Sequence, residues 1–385
     1  MTRYIIALSE LGLNNTNLIS LLIQHPCDIV NMFENKNQNL FEKYLDLLPY
    51  YDLFSDSAAV ASSLSKADDI LAKNKKLGIK TTYLTASSYP KEIALLSNPP
   101  AILYYKGGEF ADISSKSIAC VGTRKPTKLS YNAVNYLIPQ WVHEDCSIIS
   151  GLACGVDKLS HQSCISAGGK TIAVLAHGLD TIYPKENAAL AKRILETGGI
   201  LMSEYPVGTT PDRFRFVNRN RLIVGLSKVV VIYECDEKSG TMHNIEYAKK
   251  QKKPIFCPSI EIVVDKIQTG TKKLIDEGTA SVIQQGRDII GVLSALNSSI
   301  TKPRLNNIEI KLNYLHTLLS ILNAPIVLES TLKTLNINIP TNQDVYSTLV
   351  YMIKNNLINI DQLLNLLVEN NISSINNTLI FNDSY

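Results

Sequence analysis

Short apolar runs recur through the middle of the chain, and each ends in glycine or small polar residues before a stretch of helical character begins. The clearest are Ser117-Ile-Ala-Cys-Val-Gly122, Ser147-Ile-Ile-Ser-Gly151, Thr171–Leu175, which stops short of Gly178, and Val229–Glu234. Runs this apolar, without polar alternation, fit strands whose two faces are both covered. A polar turn after Gly122 leads into an expected helix over Tyr131–Val142. Strands alternating with helices of roughly 10–20 residues predict an α/β fold, a parallel sheet with helices on both sides. In such sheets ligands gather at the carboxyl ends of the strands.

The loops at that edge carry the candidate chemistry. Gly122 lets the backbone approach an anion, Thr123 follows it, Arg124 adds a charge, and the helix beyond offers free N–H groups. Ser150-Gly151 and Ser239-Gly-Thr241, the latter opening a helix, are small enough to admit a phosphate in the same way. Neither GxGxxG nor GxxxxGK[ST] occurs, so the chain carries no dinucleotide fingerprint and no P-loop. Asp212–Ser227 sets Arg213, Arg215, Arg219 and Arg221, with Phe214 and Phe216, against a single carboxylate. Guanidinium forks suit phosphate oxygens and stack on bases. The same arginines could decorate a solvated helix, but beside the strand-loop-helix turns they point to a polyanion at the strand edge.

Of 385 residues, 45% are hydrophobic, enough for a sizeable core and two or three domains. The 38 basic and 35 acidic residues leave only +3, so polyanion binding must come from local patches. Lys116–Lys128, with four basic residues and no acid, and Glu246–Lys253, with four lysines and one glutamate, are two such patches. Seven cysteines without a CxxC pair or paired Cys/His spacing argue against a zinc site or a secreted disulfide framework, and fit a reduced, cytoplasmic protein. No apolar run reaches about 18 residues and the N-terminus lacks a signal-peptide pattern, so no membrane association is expected.

Three regions follow from the pattern. Residues 1–75 read as a small module of short helices, and 76–297 as the sheet domain. A polar linker near Asn297–Asn307, containing Pro303, precedes a module at 308–385. Asn355–Tyr385 holds no Lys or Arg, three acids and nine asparagines, with a helical leucine pattern at Asp361–Val368. That composition suits protein contacts, autoregulation or core packing better than phosphates.

The motifs VGTRKPT (121–127), SGLACGVDKLSH (150–161), GGKTIAVLAHGLDTIYPKEN (168–187), GGILMSEYP (198–206), FVNRNRLIVGLS (216–227) and SGTMHNIEYA (239–248) stand in the order and spacing of the DprA/Smf family. The lead-in TASSYPKEIALLSNPPAILYYKGG (85–108), with its rigid Pro99-Pro100 pair, fits the same pattern. The chain thus resembles these DNA-processing proteins of bacterial transformation over residues 80–285. The resemblance implies an extended Rossmann-like domain that binds single-stranded DNA, forms a homodimer and helps load the RecA recombinase. It also implies a small N-terminal helical module and a small C-terminal one, mainly helical or a diverged winged helix over Leu328–Ile358.

Matched position by position, the DNA-binding residues implied are Gly122, Thr123 and Arg124; Ser150 and Gly151; Lys185 and Asn187; Arg219, Asn220 and Arg221; and Ser239, Gly240 and Thr241. Phe214 or Phe216 could stack a base. Three positions depart from the family pattern: Ser130 stands where glycine is usual, Val217 where proline is usual, and Cys257-Pro-Ser259 replaces Val-Pro-Gly.

Catalysis is not expected. Asp157 and His161 share a helix face and could form an acid/base pair, but the Asp reads better as a brace beneath the ligand groove and the His as a core residue. No nucleophile elbow and no HExxH occurs. Glu204 reads as a partner that orients an arginine. Two alternatives share the fold. A related group of nucleotide phosphoribohydrolases resembles the Ser239–Thr241 turn, but its Pro-Gly-Gly is missing, Asn244 stands where its glutamate belongs, and Glu246 is out of register. A sensor binding a small nucleotide in the same groove is the other. No cofactor or metal is expected.

Overall fold

A computed structural model describes residues 1–13, 19, 22–23, 25–34, 45–259 and 268–298. The expectations for most of the linker, for the module at 308–385, for Leu328–Ile358 and for Asp361–Val368 lie outside the described residues.

The apolar runs form strands, as their lack of alternation predicts. β1 (Lys80–Tyr83), β2 (Ile102–Gly107), β3 (Ser117–Val121), β4 (Ser147–Ser150), β5 (Thr171–Leu175), β6 (Ile200–Ser203), β7 (Val229–Ile232), β8 (Ile255–Pro258) and β9 (Ser281–Ile283) build one sheet in the order β1-β2-β6-β5-β4-β3-β7-β8-β9. β3 to β9 pair in parallel. β1 pairs antiparallel with β2, and β2 with β6, so the lead-in before residue 108 adds an antiparallel edge that the sequence reading did not anticipate. β3, β4, β5 and β7 are buried along their whole length.

From the central β3 the chain steps outward through β4, β5 and β6, then crosses back to β7 on the other side of β3. The carboxyl ends of β3 and β7 therefore flank the point where the winding reverses, the place where open α/β sheets hold ligands. The crossover helices are α6 (Lys128–His143), α7 (Val156–Ser166), α8 (Ala188–Glu196), α9 (Arg213–Leu226) and α10 (Met242–Lys250). α6 begins three residues before its expected start because Thr127 caps it, its hydroxyl accepting from Leu129 N at 3.1 Å.

Ahead of the sheet lie α1 (Thr2–Glu10), α2 (Pro26–Glu34), α3 (Tyr51–Ser55) and α4 (Ser57–Leu77), and the short α5 (Lys91–Ala94) stands between β1 and β2. Asp56 caps α4 by accepting from Ala58 N and Ala59 N, and Gly78 ends it in the left-handed region at φ 66°. Ile5, Leu8, Ile29 and Met32 of these helices pack in one apolar cluster with Ile79, Tyr104, Leu175 and Ile194. The opposite cluster joins Ile149, Val174 and Val230 of the sheet to Leu222, Ile223 and Ile245 of α9 and α10. Residues Met1–Leu293 form one compact unit. Among the described residues, no helix is long and apolar enough to cross a membrane.

Candidate functional site

The arginine stretch folds as α9, started by Asp212, whose carboxylate accepts from Phe214 N at 2.8 Å. The helix turns Arg219 inward. The residue is 4% exposed, and Nη1 donates to the carbonyl oxygens of Gly151, at 2.7 Å, and of Val174. It thereby fastens the ends of β4 and β5 to each other. Burial pulls the Arg219 pKa down to about 10, Asp157 works against that shift, and Arg124 adds to it. Asp157 is buried too, and its carboxylate accepts from Gly151 N at 3.1 Å and Ala153 N at 3.4 Å. Burial raises the Asp157 pKa, while Arg219 and these N–H donors oppose the rise.

Ser150 and Asn187 point the same way. The Ser150 hydroxyl donates to Cys120 O at 2.7 Å, and Asn187 Nδ2 donates to Leu152 O at 2.8 Å and Ala153 O at 3.2 Å. Of the residues expected to meet DNA, then, Ser150, Gly151, Asn187 and Arg219 are buried and hold the loop after β4. Ser150, Asn187 and Arg219 turn donors to carbonyl groups of the protein, and Gly151 N–H turns to the Asp157 carboxylate.

An outer layer sits on this scaffold. Arg124 is exposed and lies over the Phe216 ring, 5.8 Å from guanidinium carbon to centroid, and Arg219 lies 5.9 Å from the same centroid. Tyr183 packs on Phe216 at 5.7 Å with a 45° tilt and is itself 48% exposed. Arg215 donates to Thr210 O at 2.6 Å and lies 5.5 Å from the Tyr205 centroid. Lys185 is exposed, and Phe214 stands out from α9 at 79% exposed. Asn220 is half-buried. Arg221 pairs with Glu204, as expected of that acid, and both side chains are largely shielded. The loops press tightly together: a β-carbon on Gly155, at φ 79°, would stand 2.3 Å from Thr123 O and 2.6 Å from Arg124 Cα.

At the start of α6 stands an acid that the sequence reading did not place there. Glu234, two residues beyond β7 and fully buried, lays its carboxylate there. It accepts from Thr127 N at 2.9 Å, the Thr127 hydroxyl at 2.6 Å, the Ser130 hydroxyl at 2.6 Å and Gln268 Nε2 at 2.8 Å. A carboxylate is stable at a helix N-terminus, where it meets unpaired donors and the positive end of the dipole. Sequence reasoning missed Glu234; the available signal was an acid two residues past a fully apolar strand. The Ser239–Thr241 turn lies beyond the same strand and opens α10, with Gly240 exposed, Thr241 buried and Ser239 half-buried, its hydroxyl shielded.

Asp157 and His161 do not form a pair. His161 is buried, with Nδ1 2.7 Å from the Thr171 hydroxyl, and Asp157 serves the β4 loop. Among the described residues, no group of three or more His, Cys, Asp or Glu side chains could hold a metal. All seven cysteines are free, and Cys27 and Cys154 are exposed. Cys154 lies in the loop after β4, next to Gly155 and so beside Arg124.

Comparison with known proteins matches residues 80–294 to the family described as DNA recombination-mediator protein A. The chain is 36% identical to the Bacillus subtilis DNA processing protein DprA over 238 residues, which is 62% of this chain and 79% of that one. With the Streptococcus pneumoniae DNA processing protein DprA it shares 34% over 202 residues, 52% and 70% of the two chains. The X-ray structure of the S. pneumoniae protein superposes with a TM-score of 0.59 at 28% identity, covering 76% of this chain and 98% of that one. The Helicobacter pylori DNA processing protein A, described as having a unique single-stranded DNA binding mode, superposes with a TM-score of 0.50 at 31% identity, covering 56% and 96%.

Proposed function

Because this chain belongs to the DNA recombination-mediator protein A family, we propose that it binds single-stranded DNA along the carboxyl edge of the sheet. In this reading it acts without catalysis, as a homodimer, to hand the strand to a RecA-type recombinase. The observation that carries the DNA reading is Arg124 over Phe216 with Tyr183 against the same ring; Lys185 and Phe214 are exposed as well. Exposed cations supply phosphate contacts, and exposed rings supply stacking faces that any base can use. A single strand fits this surface better than a duplex, whose bases are stacked on each other and closed to side chains. The inward-facing Arg219, Asp157 and Asn187 keep that surface rigid, so little ordering is required on binding. Two such edges in a homodimer would act on one strand and raise avidity without new contacts.

The test is fluorescence anisotropy of a labelled oligo-dT and its duplex counterpart over a salt series, with wild type and the Arg124→Ala/Lys185→Ala double variant. Strand-selective binding that weakens with salt, and is lost in the folded double variant, is the expected result. Salt-insensitive binding, or undiminished binding by the variant, would remove the groove and favour a small-nucleotide site instead.

A further inference from the structure

We propose that Glu234 is the positioning residue of the DNA edge, an internal carboxylate that seats the loop carrying Arg124. The proposal rests on the single-stranded DNA reading given above. The loop between β3 and α6 has two feet, and both stand on this one residue. Thr123 N donates to the Glu234 carbonyl at 2.8 Å, and Thr127 N donates to its carboxylate at 2.9 Å. Between those feet lie Arg124, Lys125 and Pro126, of which Arg124 and Lys125 are exposed.

The carboxylate is fully buried and its acceptor sites are filled. The hydroxyls of Thr127 and Ser130 and the amide of Gln268 take up its remaining acceptor sites, and Thr127 in turn caps α6. A negative charge beneath a phosphate-binding loop repels the ligand unless its own field is spent locally. Here four donors and the start of a helix spend it. What the DNA side then receives is a loop already closed, with the Arg124 guanidinium held over Phe216.

The experiment is a double-mutant cycle between Glu234→Gln and Arg124→Ala, read by oligo-dT anisotropy and by thermal denaturation of the full chain. Glutamine keeps the shape and one oxygen for Thr127 N–H, while its new amide meets a hydroxyl and an amide that can both turn. Losing the charge and one acceptor is expected to weaken oligo-dT binding roughly ten-fold in the wild-type background, a single charged hydrogen bond's worth. In the Arg124→Ala background the same change is expected to do nothing further, because Glu234 acts through Arg124. An equal loss in both backgrounds, or no loss in either, overturns the proposal and leaves Glu234 as a brace for the fold. If Glu234→Gln does not fold, Ser130→Ala, which removes one donor alone, is run through the same cycle with the same criterion. Absence of oligo-dT binding by wild type overturns the DNA reading as well, whereas an additive cycle with intact wild-type binding overturns only the role of Glu234.

Discussion

The Arg219 guanidinium fills the space where a β-carbon on Gly151 would stand: such an atom would lie 2.2 Å from Nη1. Glycine at 151 is therefore required by a neighbour rather than by its own backbone torsion. Gly151→Ala is expected to destabilise the protein by about 1–3 kcal/mol through overpacking. Arg219→Ala is expected to lose about 1–3 kcal/mol, since the carbonyls of Gly151 and Val174 lose their donor. In the Arg219→Ala background the glycine change should fall below about 1 kcal/mol, giving strong non-additivity. Urea unfolding of the four proteins in the cycle measures this directly.

Phe214 separates binding from folding. At 79% exposed it contributes little to the core, so Phe214→Ala should move stability by less than about 0.5 kcal/mol. If a base stacks on it, oligo-dT affinity should drop by about 1–3 kcal/mol, roughly 5- to 150-fold. Anisotropy on a protein of unchanged melting temperature gives the answer; unchanged affinity would exclude Phe214 as a stacking platform.

Cys154 offers a built-in footprint. It is exposed in the loop after β4, while Cys27, the other exposed thiol, lies on α2 far along the sequence. Saturating oligo-dT should slow maleimide labelling of Cys154 and leave Cys27 unaffected, as followed by peptide mass spectrometry. Equal labelling of Cys154 with and without DNA would place the strand elsewhere.

Acid stability should carry the signature of His161. Burial, reinforced by Arg219, lowers its pKa from 6.5 to about 3 in the folded protein. Between those two values the unfolded chain holds the proton and the folded one does not. Stability therefore falls as pH drops through this window, by about 1.4 kcal/mol per pH unit from this group alone. Asp157, on the same helix with its pKa raised, contributes with the opposite sign, since the folded state takes its proton first. His161→Asn, whose amide can keep the contact with Thr171, should remove the histidine's share of the slope between pH 6 and 4, roughly one proton of difference. Unfolding free energy measured across that range checks it.

The central sheet was legible because Ser117–Val121, Thr171–Leu175 and Val229–Ile232 are apolar on both faces, and only a doubly covered strand needs that. Residue chemistry also foretold that Asp157 would brace its loop and that Glu204 would pair with an arginine. What could not be read was direction. A guanidinium offers the same fork to a phosphate as to a pair of carbonyl groups, so the sequence alone does not distinguish exposed Arg124 from buried Arg219. Helical geometry decides it: α9 turns Arg219 toward the ends of β4 and β5 and leaves Phe214 outside. Glu234 escaped for a different reason, since an acid beneath an anion site runs against simple charge counting and becomes sensible only once its four donors are seen. The antiparallel edge was hidden because β1, Lys-Thr-Thr-Tyr, is short and half polar.

The apolar layer shared by the first helices and the sheet has a practical consequence. The stretch that matches the family begins at residue 80, yet Ile5, Leu8, Ile29 and Met32 share one apolar cluster with Tyr104, Leu175 and Ile194. A fragment started at the match would carry a bare wall of side chains into water and would precipitate or recruit a substitute for the missing helices. The boundary drawn by ancestry is therefore not a place where the protein can be cut.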